Sequence, residues 1–372
     1  YGLDEYAEMV KAFEESHPGV KIEVQHAAND SNTLLQSRIN SGDIPDVFDV
    51  ESGTSAKKYY EYAYDWTDDT DVTSLFHEDA LETGRDDDGK IKSLPWTYEN
   101  MGLIYNKDCF EKAGIEALPT NMDELAEACQ KLKDAGITPF AIAAKETWVL
   151  GQMATHFMLD KSKDAAGTVE AIESGELAFA DMPNWSNFFK FLDLTVEYGP
   201  DKPLEIDWET SENMLANGEA AMIHMGDWCQ STLDSFNPDA NLGFLPFPVG
   251  STEDDATLLS SCNWTYIVNK DSENLDLAKE YCEYILTSEE GQKWMCEGVG
   301  AVPGVKTDMT VSGKLANDAK TYIADGKTNG WLHTIAPNSY ADTCGPYIQS
   351  YMLGDMSADE VTELFQEFWT AG

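Results

Sequence analysis

Apolar and polar positions along this 372-residue chain alternate between two periods. Leu3, Tyr6, Ala7 and Val10 recur at the spacing of one helix face, and that helix is expected to stop at His17-Pro18-Gly19. Val20-Lys21-Ile22-Glu23-Val24 then alternates residue by residue, which predicts a strand. A second helix over 31–41 stops at Gly42, and the short run Val47-Phe48-Asp49-Val50 predicts a strand of a buried parallel sheet. Asp88-Gly89-Lys90 predicts a turn into Ile91–Leu94, with a longer strand over 101–106.

The middle of the chain is more helical. Asn121 and Glu124 form a capping box for a helix reaching about 135, and a strand is expected over 140–144. Trp185, Phe188, Phe189 and Leu192 make a helical stripe, which assigns Trp185 to a core. Ala220–His224 predicts a strand before a helix starting near Asp227, and further strands are expected over 242–246 and 262–268. The final helix carries a second capping box, Ser357 with Glu360, and the stripe Val361, Leu364, Phe365 and Phe368. Repeating strand–helix units predict an α/β fold with mainly parallel sheets flanked by helices. The length suggests two domains, yet no Pro- or Gly-rich linker divides the chain. Two lobes joined by several strand crossings, and so able to hinge, are the expected arrangement.

Charge narrows the partners. With 24 basic and 68 acidic residues the net charge is -44, which disfavours nucleic acid and anionic lipid. Arg38 and Arg85 are the only guanidinium groups, so an anionic ligand held by arginine forks is also disfavoured. The 10 Trp are a surplus that fits aromatic platforms as well as cores. Seven cysteines, at 109, 129, 229, 262, 282, 296 and 344, include no C-x-x-C pair, and Cys129 falls on the stripe Leu125, Ala128, Leu132. Buried free thiols are expected. No run of 18 apolar residues is present. Residue 1 already lies in a helical pattern, so the natural N-terminus is expected upstream.

Catalytic signals are sparse. The chain has no G-x-S-x-G, H-E-x-x-H, Walker loop or G-x-G-x-x-G, and its six histidines lack metal-ligand spacing. Asp86-Asp87-Asp88-Gly89 has the wrong ligand spacing for a calcium loop and predicts a solvated turn. No catalytic residue, metal or cofactor is therefore assigned. Carboxylates are too abundant for sequence alone to close off a glycosidase-type acid–base pair.

Several segments nevertheless resemble, in order, the family 1 extracellular solute-binding proteins, the group that includes maltodextrin-binding protein. They are Phe13-Glu14 leading to His17-Pro18-Gly19-Val20-Lys21-Ile22; Gly42-Asp43-Ile44-Pro45-Asp46-Val47; Asp88-Gly89-Lys90 with Leu94-Pro95; and Leu103-Ile104-Tyr105-Asn106-Lys107. Phe110 through Gly114, Gly218-Glu219-Ala220-Ala221-Met222 with Gly226 and Trp228, and Gly300-Ala301-Val302-Pro303 complete the series. The resemblance implies a two-lobed periplasmic-binding-protein-like fold with a ligand cleft between the lobes. Lobe one is expected over 1–105 plus 259–303 and lobe two over 106–258 plus 304–372, with hinge strands near 104–107, 257–261 and 303–306. It further implies the non-catalytic binding subunit of an ABC importer, which captures a carbohydrate, most simply an oligosaccharide, and delivers it to permease subunits. Such a protein is expected to be an extracytoplasmic monomer, anchored through a lipidated cysteine upstream of residue 1. The alternatives are a secreted glycan-active enzyme and a binder of a non-sugar solute on the same scaffold. The family also begins with a strand before its first helix, whereas this chain starts in that helix.

Sugars present flat C–H faces and many hydroxyls, so their sites combine aromatic platforms with directional polar groups. By resemblance, Glu99 matches an acidic contact just before the first crossing strand. Glu51, with Ser52, follows the Pro-Asp strand, whose loop supplies carboxylates. Trp228 follows Gly226 as a stacking tryptophan does, and Trp148 lies in a loop after the strand over 140–144. Asn263 and Trp264 fall near the second crossing, and Trp331 completes the set. Trp294, within Gly291-Gln292-Lys293-Trp294-Met295, is expected to be core.

Overall fold

In the computed structural model, residues 3–26, 31–159, 164–252 and 255–371 are described. The chain divides into two compact units, Tyr1–Glu99 with Ser261–Gly313, and Asn100–Ser260 with Lys314–Gly372. It passes between them three times, within the strands Thr97–Asn106 and Ala256–Ser261 and again after Gly313. The last passage comes later than the expected 303–306 because that stretch is tied to the first unit. Gly304 donates to the Trp96 carbonyl at 2.8 Å, Lys306 to that of Leu75 at 2.8 Å, and Ser312 to that of Cys296 at 2.9 Å.

The strands, in chain order, are β1 (Val47–Glu51), β2 (Leu94–Pro95), β3 (Thr97–Asn106), β4 (Thr138–Phe140), β5 (Ala220–Gly226) and β6 (Leu242–Leu245). They continue as β7 (Phe247–Pro248), β8 (Ala256–Ser261), β9 (Trp264–Val268), β10 (Val302–Pro303) and β11 (Thr328–Asn329). The α/β class holds, but the pairing corrects the expected mainly parallel sheets. Among the described residues β1–β9, β2–β9, β3–β5, β3–β6, β3–β10 and β7–β8 run antiparallel, while β4–β5 and β8–β11 run parallel. A short apolar run bounded by turns shows burial but not the direction of its neighbour.

In unit 1 the opening helix Leu3–Ser16 buries Met9, Val10 and Phe13, whereas Leu3, the first residue of the expected stripe, is exposed. Phe13 stacks on His17 at 4.1 Å, and Gly19 leaves the helix end at φ 97°, a region that favours glycine. The expected strand Val20–Val24 does not form. Val20 and Ile22 lean on the core, but no strand offers this stretch a ladder among the described residues. Alternation sets side-chain direction; a strand also needs a partner edge. β1 forms as expected but antiparallel to β9, with Phe48 and Val50 inward and Asp49 outward. That outward aspartate is the one-faced pattern of an antiparallel strand rather than a doubly buried parallel one. The expected strand Ile91–Leu94 is reduced to a bridge at Ile91 and the two-residue β2. At the Asp86 turn, Oδ1 accepts from the Asp88 and Lys90 amides at 3.0 and 2.9 Å, so the carboxylate serves the turn itself.

The sheet of unit 2 runs β11-β8-β3-β5-β4, with β6 on β3 and β7 on β8. All seven residues of β5 are buried, as its central place demands. The helix Met122–Asp134 starts where predicted, with Asn121 Oδ1 accepting from the Glu124 amide at 3.0 Å. Glu124 reaches one residue further back than a capping box, accepting from the Thr120 amide at 2.8 Å and hydroxyl at 2.9 Å. The strand expected over 140–144 is confined to β4, and a helix, Thr147–Thr155, follows in place of the expected loop. Trp185 is core, its indole donating to the Thr362 hydroxyl at 2.9 Å. The Ser357–Glu360 box closes reciprocally and launches the helix Ala358–Ala371, which buries Val361, Phe365 and Trp369.

Candidate functional site

In unit 1 one end of the β1–β9 ladder gathers five of the predicted residues. Glu51 stands opposite Trp264 in the register. The Ser52 amide donates to the Asn263 carbonyl at 2.7 Å, and Asn263 Nδ2 donates to Glu99 Oε2 at 3.0 Å. Trp96 fixes the other side by donating its amide to the Trp264 carbonyl at 3.2 Å. Ser52 and Asn263 are buried, while Glu51, Glu99 and Trp264 keep part of their surface. Ser52 Oγ and Asn263 Oδ1 are both buried without a hydrogen-bond partner. Burial raises the Glu51 carboxyl above its ordinary pKa, against the lowering influence of the Lys58 charge and the Ser55 hydroxyl.

The remaining three predicted residues belong to unit 2. Trp228 sits just past β5, and its ring folds back over Gly226. A Cβ on Gly226 would lie 1.8 Å from Trp228 Cζ3, so only glycine leaves room for the ring. Between them, Asp227 is anchored by Asn100, whose amide and Nδ2 donate to its two carboxylate oxygens at 3.0 and 2.7 Å. Burial outweighs those bonds and lifts the Asp227 pKa to about 6. Trp331 meets the Trp228 ring edge-on, at 5.7 Å and 76°. Trp228 keeps part of its surface, but Trp331 is 3% exposed and braces its neighbour rather than offering a face. Trp148 is partly exposed on the helix Thr147–Thr155, not in a loop, and Gln152 follows one turn later on the same face.

Sequence reasoning missed Asn100, Asp227, Gln152 and His333. Asn100 and Asp227 are far apart in the chain and meet only through the β3–β5 register. Gln152 and His333 carry a local signal, since they lie four residues after Trp148 and two after Trp331. Arg38 and Arg85, in contrast, are spent elsewhere in unit 1. Arg38 pairs with Asp43 and Gln25, and Arg85 with Glu82, Glu78 and the Gly89 carbonyl. Among the described residues no cluster of three His, Cys, Asp or Glu is arranged to hold a metal ion. All seven cysteines are buried, and none is joined in a disulfide.

The sequence profile of bacterial extracellular solute-binding proteins matches residues 3–293. A curated relative, the melibiose/raffinose/stachyose-binding protein MelE of Bacillus subtilis, is 23% identical over 97% of this chain and 84% of its own. Among solved structures, the binding protein MsmE of Bacillus subtilis in an open conformation superposes with a TM-score of 0.83. It is 21% identical, over 99% of this chain and 93% of that one. The solute-binding protein RafE in complex with raffinose gives 0.81 at 18% identity, over 100% of this chain and 96% of that one. These structures share the two-domain fold, and the profile match carries the assignment: the chain belongs to the bacterial extracellular solute-binding protein family.

Proposed function

We propose that this chain is the substrate-binding subunit of an ABC importer and captures a neutral oligosaccharide. The observation that carries the proposal is the Trp228 ring, which keeps part of its surface, lies over a glycine and is braced by a buried tryptophan. An aromatic face held that way before any ligand arrives suits the apolar C–H face of a sugar ring. Polar groups at the β1–β9 end, Glu51, Ser52, Glu99 and Asn263, suit hydroxyls, and Trp148 and Trp264 add aromatic surface. With both arginines tied to other groups, an uncharged ligand fits better than an anionic one. The names of MelE, a melibiose/raffinose/stachyose-binding protein, and of the RafE complex with raffinose support the same class.

In this reading the three passages of chain between the units are the hinge on which the protein closes over its ligand. The protein acts as a monomer that presents sugar to permease subunits and is held at the outer face of the membrane by a lipid. It performs no chemistry on the sugar. A thermal-shift screen tests the proposal, because a ligand bound only to the native state stabilises it by about 2.7 kcal/mol at 100 times its Kd. Melibiose, raffinose or stachyose should raise the Tm in proportion to the logarithm of its concentration. Stabilisation by charged solutes alone would overturn the reading.

A further inference from the structure

Three buried polar atoms in one patch of unit 2 have no partner in the chain: Trp331 Nε1, His333 Nδ1 and Gln152 Oε1. Their side chains are contiguous. The His333 ring lies 4.9 Å from that of Trp331, and Gln152 Nε2 is 3.5 Å from His333 Nε2. Trp331 in turn abuts Trp228. Leaving one buried polar group unpaired costs about 1–3 kcal/mol, and native proteins leave few of them. Three together, beside the aromatic platform, point to a partner supplied from outside the chain. The three atoms themselves are buried, but Gln152 and His333 each keep part of their surface, so the patch lies at the edge of the core.

The chemistry of that partner follows from the atoms. Burial lowers the His333 pKa to about 4, so the ring is neutral at ordinary pH and carries a single N–H. In the amide orientation present here Gln152 Nε2 donates toward His333 Nε2, which places the ring proton on Nδ1. The unpaired set is then two donors, Trp331 Nε1–H and His333 Nδ1–H, and one acceptor, Gln152 Oε1. A carboxylate or phosphate would be repelled by the amide oxygen, and an ammonium group by the two donors. Neighbouring hydroxyls satisfy all three, since each can accept and donate.

We propose that Gln152, His333 and Trp331 form a subsite beside Trp228 that reads a pair of sugar hydroxyls and so selects among neutral sugars. The proposal rests on the oligosaccharide-binding function and names residues that give it specificity. Gln152→Met and His333→Phe keep volume and remove the polar atoms. Both variants and the wild type are titrated with melibiose, raffinose and stachyose by calorimetry, and their thermal unfolding is followed without sugar. Each variant should bind the sugar taken by the wild type at least about tenfold more weakly, a loss of 1.4 kcal/mol. Without sugar its Tm should change little, because loss of one unpaired atom offsets the partner nitrogen left unpaired across the Gln152–His333 contact. If the wild type binds and both variants match it, the subsite is wrong while the function stands. Variants that melt earlier yet bind normally would show a structural role and also overturn it. If the wild type binds none of the three, the subsite falls together with the function it rests on. Should His333→Phe fail to fold, Gln152→Met decides alone.

Discussion

Two tryptophans are expected to separate binding from folding. Trp294 is 5% exposed, stacked on Trp96 at 5.2 Å and 10°, with Tyr6 edge-on at 4.9 Å. Trp294→Ala should therefore cost on the order of 3–5 kcal/mol of stability in chemical denaturation. Trp228→Ala removes a ring that keeps more of its surface than Trp294 does, so its stability cost should be smaller. Its affinity should fall by about 1.5–3 kcal/mol, roughly tenfold to hundredfold. Gly226→Ala extends the argument, because the added methyl must displace the Trp228 ring. It should weaken sugar binding about as much as Trp228→Ala, by calorimetry, although it adds one carbon and removes no contact group. Wild-type affinity in Gly226→Ala would show that the ring's position is not what binds.

At the scale of elements, the helix Trp208–Ala216 carries an unexpected load. Glu212 is fully buried on it, and neither carboxylate oxygen reaches a hydrogen-bond partner. Burial raises its pKa to about 8; the Glu209 charge adds to this and the nearby Thr232 hydroxyl offsets part. Cys229 also faces it, with its thiol raised by burial and by the charges of Glu212 and Asp227. The sign follows from proton counting. Below pH 4.5 both states hold the proton; between 4.5 and about 8 the unfolded chain has lost it while the folded chain keeps it. Stability therefore falls as pH rises through that window and levels off above it, with a cost of order 3 kcal/mol at pH 7. Glu212→Gln should gain stability at pH 8, change little near pH 4.5, and flatten the pH dependence of urea unfolding. Parallel curves for the two proteins would contradict this.

Elements also set what could be read in advance. Capped helices with a clear apolar stripe, such as Met122–Asp134 and Ala358–Ala371, were legible because their signals lie within a few residues. The Val20–Val24 strand was not, since its absence depends on what lies beside it. Trp148 was misplaced in a loop because the run over 140–144 continues apolar after the strand has ended. For the candidate site, the β1–β9 register brings together Glu51, Ser52, Asn263, Trp264 and Glu99 from three distant stretches. Family resemblance pointed to those residues; periodicity could not have. The sequence points to the Trp331 ring, but its indole N–H is the part left unpaired.

For the whole molecule, net charge, arginine use and family membership converge. A chain of charge -44 whose two arginines are bound to surface groups is poorly suited to concentrate anions. It is well suited to a neutral ligand recognised by stacking and hydrogen bonds. Incubation with raffinose should leave the sugar intact by chromatography, as befits a carrier; released galactose or sucrose would indicate a hydrolase. The most direct measurement is calorimetric titration of the folded protein with melibiose, raffinose and stachyose. The account predicts saturable one-to-one binding of at least one of them, lost in Trp228→Ala. Absence of heat and of any Tm shift with all three, from a protein that unfolds cooperatively, would contradict it.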